Sequence, residues 1–511
     1  MQSSNMAGPP AKGWFSWGAA AGFVAVAAFT AWFVPKLPAE SFDDGTISML
    51  ADAGLFFALL CIVVGTSIVQ KVDQRQVIYR SALTIWWLLL VNEVFFSRVN
   101  TSFGMGKGQF SLHAYAEGAM WLVCALVLLI LTMRSPGYLP QLFEGPSKWV
   151  SIFVLLCIIS IIWTPGKVYA MAWGLKLTLA VCLLQLCASL IKDVSDIQLF
   201  MKVTAVAFLF IAVLPVYYAT QDPDGFWFEG RLNADPDLLS PMAASLMMFS
   251  MMLYAMTKKR IWVATGTIGA VIMLMGFGKA GVVGGFVAAS IFLLLQRRVV
   301  RSLGLLLGLG VLAMLIISVT PVGNYLQTYQ GGSTLTGRTQ IWTNALNAGR
   351  QSPIFGRGYL ATYFSWENTS GLTQGAVHVH NGFLEVFYNN GALGELLLLT
   401  IHFMILRNIF SAMKTLKVLR ALQPGSERAW HAYLMTVGWL ALYVHTLLQG
   451  MLGGHFGGRC MSPYMLWLAL VMLTTVTRRI SETMLRRANF EREPMFAITD
   501  LETLQPVPAQ N

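Results

Sequence analysis

Residues 375–395 read GAVHVHNGFLEVFYNNGALGE. His378 and His380, two of the chain's seven histidines, stand here with Asn381 in a polar stretch directly before an apolar run. Asn is a favoured helix N-cap, because its side-chain oxygen accepts from backbone N–H groups of the first turn. Phe383, Val386 and Phe387 follow at i, i+3, i+4 spacing and share one helical face. A helix is therefore expected from Asn381. Gly391 and Gly394 then mark a bend or a close packing as the chain enters a longer apolar segment at 391–407. His380 falls at the helix N-terminus, where the positive end of the dipole disfavours imidazolium. A neutral imidazole can accept a proton, so His380 is a candidate general base. Read alone, it serves equally well as a structural hydrogen-bonding group.

Outward from this stretch the chain is mostly apolar. Of 511 residues, 56% are hydrophobic and 12% charged, against about 25% charged in soluble domains. Segments near or above the ~18 apolar residues that span a bilayer recur along the whole length. They lie near 14–35, 46–70, 81–97, 113–133, 149–163, 170–191, 199–220, 238–257, 261–277, 280–296, 302–320, 391–407, 431–450 and 460–477. The expectation is an all-α polytopic membrane protein of about 14 transmembrane helices, with residues 1–220 forming N-terminal spans. A second membrane region covers 221–477, and 478–511 is a cytoplasmic tail, polar, rich in Pro and Gln at its end, and expected to be disordered.

The net charge of +11 needs no nucleic acid to explain it. Lys71, Arg75 and Arg80, Arg134 and Lys148, Lys192, Lys258 to Arg260, Arg297 to Arg301, Arg407 to Arg428 and Arg478 to Arg487 fall in alternate loops. The other loops are neutral or acidic, such as PAESFDDG (38–45) and DPDGFWFEGRLNADPD (222–237). Strict alternation puts every basic loop on one side, with both termini cytoplasmic by the positive-inside rule. The six cysteines show no metal or disulfide spacing.

One outward segment is long, 321–380, or 321–390 with the start of the next helix. Long loops in compact folds are usually functional or disordered. Within it, Ile341, Trp342, Ala345 and Leu346 follow helical spacing, which predicts a short amphipathic helix at the membrane surface. SPIFGRGY (352–359) reads as a turn in which Gly356 and Gly358 allow positive φ. The same outward side collects Arg231, Lys279, Arg338, Arg357 and Arg459. Converging cations beside one histidine suit a phosphate or diphosphate substrate. The bland readings are snorkelling for Lys279 and a headgroup contact for Arg459. His402, His431 and His445 lie in or near spans and read as packing or helix–helix hydrogen bonds.

TLTGRTQIW, SPIFGRGY and HVHNGFLEVFYNNGALG, in this order and spacing, resemble the C-terminal signature of the O-antigen ligase and Wzy-type polymerase superfamily. GRLNADPDLLSP and MGFGKAGVVGGFVAA look like its upstream elements, with Lys279 where that family usually has Arg. The resemblance covers roughly 225–475. It implies a GT-C-like fold with a periplasmic active site in the bacterial inner membrane, and an enzyme using neither metal nor cofactor. The donor implied is an undecaprenyl-diphosphate-linked glycan. Carried over, Arg338 and Lys279 hold the diphosphate with Arg231 as a third cation, and His380 is the base. Asn381, Glu385, Arg357 and His378 are supporting residues. The implied reaction polymerises repeat units of an exopolysaccharide or O-antigen, alongside a chain-length regulator and a flippase. The alternatives are a ligase moving glycan to lipid A core or protein, and a lipid-linked oligosaccharide transporter. A transporter would place its ionisable residues near the midplane and often shows repeated halves; here Glu93 and Lys176 are the main mid-span charges, no repeat is visible in the sequence, and the polar residues gather in the outward loop instead.

Overall fold

The computed structural model describes residues 74–96, 112–133, 145–221, 227–228, 231–232, 236–296, 299–320, 338–365, 379–453 and 456–490. The expected spans at 14–35 and 46–70, and His378, lie outside these residues. In chain order the elements are α1 (Gln74–Phe96), α2 (Leu112–Met133), α3 (Gly145–Ser160), α4 (Lys167–Leu190), α5 (Val194–Gln221), β1 (Trp227–Phe228), β2 (Arg231–Leu232), α6 (Pro236–Thr257), α7 (Ile261–Gly276), α8 (Lys279–Leu295), α9 (Val299–Val319), α10 (Arg338–Gly349), α11 (Thr362–Ser365), α12 (Gly382–Leu422), α13 (Glu427–Gly453) and α14 (Ser462–Phe490).

Each span expected from 81–97 onward coincides with one of these helices. Among the described residues, five helical segments are long and apolar enough to cross a membrane: α4, Val194–Tyr217 of α5, Leu238–Thr257 of α6, α12 and α13. Several shorter apolar helices, including α3, α7 and α8, accompany them. This is the architecture of a multi-pass membrane protein, while the full count of fourteen crossings stays an expectation from hydropathy. Apolar stripes such as Leu122, Leu126 and Leu129 on α2, and Leu396, Leu399 and Phe403 on α12, face outward. Helices apolar on both faces bury one face in protein and offer the other to lipid.

The described chain is all-α in class, and the acidic stretch 222–237 adds a minimal antiparallel ribbon, with Trp227 opposite Leu232 and Phe228 opposite Arg231. One expectation is corrected. The disordered tail expected from residue 478 is helical as far as Phe490. An i, i+4 ion pair between Arg478 and Glu482 at 2.7 Å supports that extension. Arg479 also anchors it, donating to the carbonyls of Ala188 at 2.8 Å and Ile191 at 2.9 Å.

With no hydrophobic drive between helices in lipid, close approach and polar cross-links hold the bundle. A Cβ on Gly281 would lie 2.8 Å from the Pro241 nitrogen, and one on Gly284 2.7 Å from His445 Nδ1, so α8 sits tightly between α6 and α13. Trp86 donates to Thr204 and Trp439 to Thr477, each at 3.0 Å. The span histidines behave as expected: His402 Nδ1 lies 3.2 Å from the Tyr443 hydroxyl, His445 Nε2 3.2 Å from the Pro241 carbonyl, and His431 Nδ1 3.3 Å from Gln198.

Cross-contacts group the basic loops at one end of the bundle. Arg75 bonds the Leu190 carbonyl at 2.7 Å and pairs with Asp196 at 3.0 Å. With Arg479 it supplies cations to the C-terminus of α4, the negative end of its dipole. Arg428 lies 3.9 Å from Asp193, and Tyr433 donates to Leu295 at 3.2 Å. The opposite end gathers the residues described next.

Candidate active site

The site is built on a break in α12. Gly391 has φ 65° and ψ −166°, outside helical space and open essentially to Gly alone. The break separates a short leading segment, 382–390, from the long helix. A break strips backbone groups of their helical partners, and these must be satisfied inside the protein. The 353–358 turn does this. Arg357 N–H donates to the Tyr388 carbonyl at 3.0 Å and Gly358 N–H to Asn389 at 2.8 Å. In return, Ala392 N–H donates to Pro353 at 2.8 Å and Leu393 N–H to Ile354 at 3.2 Å. Backbone lies on backbone: a Cβ on Gly356 would stand 2.4 Å from the Asn389 carbonyl carbon, and one on Gly391 2.3 Å from the Ile354 oxygen. Gly356 and Gly358 have φ 67° and 102°, as SPIFGRGY suggested.

The leading segment begins as the sequence predicted. Asn381 caps it, its side chain accepting from Phe383 and Leu384 N–H, each at 3.1 Å. His380, immediately before the cap, is in the left-handed region at φ 52°. Non-glycine residues are rare there, His among the better tolerated, and such conformations cluster at functional sites.

Helix α10 covers this turn. Ile341, Ala345 and Ala348 pack on Ala361, Val379 and Tyr388, so its expected apolar face is the one it buries. Trp342 Nε1 donates to the Val379 carbonyl at 3.1 Å, gripping the chain one residue before His380. Arg338 is four residues earlier and so projects from the same face of α10. Its guanidinium bonds the Leu452 carbonyl in the last turn of α13, where the helix dipole favours a cation. A Cβ on Gly382 would stand 2.7 Å from the Phe456 nitrogen and 3.1 Å from the Gly450 carbonyl, so the same end of α13 also abuts the His380 turn. Arg338 and the turn that carries His380 thus both adjoin the last turns of α13.

Beneath it lies a buried polar network that sequence reading did not assemble. Thr362 reaches Glu385 at 3.4 Å through its hydroxyl and Asn389 at 3.1 Å through its N–H. Asn390 and Tyr359 N–H both donate to Ser160 Oγ, at 3.3 and 2.9 Å, and Thr164 donates to the Tyr359 carbonyl at 2.9 Å. Arg459 stacks on the rings of Tyr363 at 5.2 Å and Trp173 at 5.9 Å, within electrostatic reach of Glu385. Burial first, and then the Glu385 charge, push the Tyr363 phenol above its ordinary range; Arg459, hydrogen-bonded to it, opposes both. Arg459 is therefore part of the interior, not a headgroup contact.

The remaining expected residues distribute as follows. Lys279 is exposed and opens α8, after a tight turn through Phe277 at φ 39°. It lies at the same end of the bundle as Arg338, because Gly284 on α8 faces His445 near the end of α13. Arg231 opens β2; its backbone pairs with Phe228. Arg357 stacks 5.4 Å over Tyr388 and bonds Gln351, so it secures the turn. Glu385 is fully buried and belongs to the network. Lys176 is buried against Trp121 and Trp173, at 5.3 and 5.0 Å. Among the described residues no three His, Cys, Asp or Glu side chains gather as a metal site.

Residues 267–399, which include α8, α10 and the His380 turn, match the family described as O-antigen ligase. The chain is also 26% identical over 316 residues to the exopolysaccharide production protein ExoQ of Rhizobium meliloti (strain 1021), covering 57% of this chain and 69% of that protein.

Proposed function

We propose that the chain, whose residues 267–399 match the O-antigen ligase family, is a membrane glycosyltransferase that polymerises undecaprenyl-diphosphate-linked repeat units at the periplasmic face. The carrying observation is the junction: α10 lays its Arg338–Trp342 face on the turn that holds His380 ahead of a capped helix. An imidazole and a guanidinium on one surface suit a reaction in which one partner loses a proton and the other departs as an anion.

In this reading the acceptor sugar hydroxyl attacks the anomeric carbon of the donor. His380 takes the hydroxyl proton as the new glycosidic C–O bond forms. The bond to the diphosphate breaks, and its electron pair leaves with the phosphate oxygen. Arg338, with Lys279 and Arg231 from neighbouring elements, balances the charge that develops there. Attack opposite the leaving group inverts the anomeric centre, and no step calls for a metal. The likeness to an exopolysaccharide production protein supports a role in exopolysaccharide or O-antigen processing.

Complementation with His380→Ala in a strain lacking the protein tests this. Surface polysaccharide and lipid-linked intermediates are read together, at matched membrane protein level. The expected result is loss of polymer with accumulation of single lipid-linked units. Accumulated lipid-linked polymer would make the protein a ligase. Normal polymer from a normally expressed variant would remove His380 from the chemistry.

A further inference from the structure

A second site lies at the opposite end of the bundle. α12 extends far beyond its apolar span, and this extension carries Lys414, Lys417 and Arg420 at i, i+3, i+6 spacing, all exposed. With α13 and the end of α8 it encloses an open crevice of about 640 Å³. Its floor is apolar and aromatic: Leu295, Met413, Trp430 and Tyr433. Its mouth is cationic. The Arg420 guanidinium is stacked 4.7 Å from Trp430 and 4.8 Å from Tyr433, while Tyr433 is tied by its hydroxyl to Leu295. Among the described residues no carboxylate lies within ion-pairing distance of Lys414, Lys417 or Arg420.

Snorkelling lysines that merely orient a protein need no cavity and no aromatic seat. Here three cations of one sign converge on a preformed crevice, and stacking fixes the orientation of one of them. A guanidinium seated over rings spends its charge on their faces and leaves N–H donors for phosphate oxygens. An apolar floor beneath a cationic mouth matches a lipid that enters sideways, with its chains in the bilayer and its headgroup at the rim. The number of cations favours a headgroup carrying more than one phosphate.

We propose that this crevice binds a diphosphate-bearing anionic phospholipid, such as diphosphatidylglycerol, in the leaflet opposite the His380 site. The charge distribution assigns that leaflet to the cytoplasmic side.

The test uses the purified full chain in neutral detergent, with retained lipid counted by native mass spectrometry and thermal stability read in parallel. The probes are diphosphatidylglycerol and, at equal total charge, phosphatidylglycerol. Wild type is expected to retain one diphosphatidylglycerol preferentially and to be stabilised by it. Lys414→Gln with Lys417→Gln and Arg420→Gln is expected to weaken retention by about tenfold or more, since each cation near a lipid surface contributes severalfold. Arg486→Gln with Arg487→Gln, basic residues at the end of α14, is expected to leave retention unchanged. Equal retention of the two lipids by wild type would overturn the proposal, and that arm needs no variant to fold. Equal loss in both sets of variants would overturn it too, leaving bulk charge as the cause. Displacement of the lipid by millimolar pyrophosphate alone would also overturn it, by making the site one for a soluble diphosphate.

Discussion

Gly391→Ala should detach the 353–358 turn from α12. Two costs set the magnitude. At φ 65° and ψ −166° a residue with a Cβ carries a penalty of about 1–3 kcal/mol. The new methyl would also stand 2.3 Å from the Ile354 oxygen, 2.4 Å from its carbonyl carbon and 2.6 Å from the Gly356 nitrogen. All three are backbone atoms, so no side chain can yield. Relief requires the turn to lift, which gives up the backbone hydrogen bonds of Arg357, Gly358, Ala392 and Leu393. At about 1 kcal/mol net each, that is roughly 4 kcal/mol. The chain takes the cheaper mixture, so the turn should lose about 2–4 kcal/mol of protection. Tryptic cleavage after Arg357 in the purified protein reports this directly, because a locally opening segment is cut in proportion to its open population. At 1.4 kcal/mol per tenfold, cleavage there should rise by about 30-fold to several hundred-fold. Gly425→Ala, with no atom within 4 Å of the new Cβ, should leave the rate unchanged. An unaltered rate at Arg357 in Gly391→Ala would refute the account of how the turn is held.

Two further outcomes follow from the same geometry. His380→Gly should abolish polymer yet keep or raise the melting temperature, because Gly adopts φ 52° without strain; His380→Val should lower stability by about 1–2 kcal/mol. Denaturation of the pair separates chemistry from backbone strain: an active His380→Gly would defeat the first idea, and a His380→Gly with a lowered melting temperature the second. Arg459→Met should push the Glu385 carboxyl further above the value of about 8 to which burial already raises it against this cation, so the variant should lose stability, and lose more of it as pH rises from the ordinary carboxylate range toward that value. Adding Glu385→Gln should recover part of that loss, and a strictly additive double-mutant cycle would show that the two charges are not coupled.

What was legible in the sequence was what local rules govern. Asn381 as a cap, the buried face of α10, the positive φ at Gly356 and Gly358, and the bend at Gly391 each depend on residues within a few turns of one another. What was not legible depends on partners far along the chain. Ser160 and Thr164 serve the 353–359 turn from nearly 200 residues away. Arg459 looked like a membrane-edge cation because hydropathy carries no information on which rings will enclose it. A signal was present at Asn389 and Asn390: adjacent amides entering an apolar helix have to be satisfied internally in lipid. The helical tail past residue 478 was missed for another reason. Hydropathy marks where the apolar phase ends, and α14 continues beyond it on an ion pair and on carbonyls borrowed from α4.

The break in α12 also explains the spacing of the stretch that carries His380. A continuous helix through 382–422 would have no reason to start at the protein's edge with a capped end, nor to meet α10. Breaking it at Gly391 frees a leading segment of residues 382–390, about two and a half turns, that can tilt independently of the span. Both of its ends are then fixed by different parts of the outward segment. The 353–358 turn fills the break, and Trp342 of α10 grips the residue before His380. Because each residue turns a helix by 100°, the number of residues between the break and the cap sets which way His380 points. The glycines, the turn and the histidine therefore belong to one mechanical unit, in which the backbone break gives His380 its position and direction.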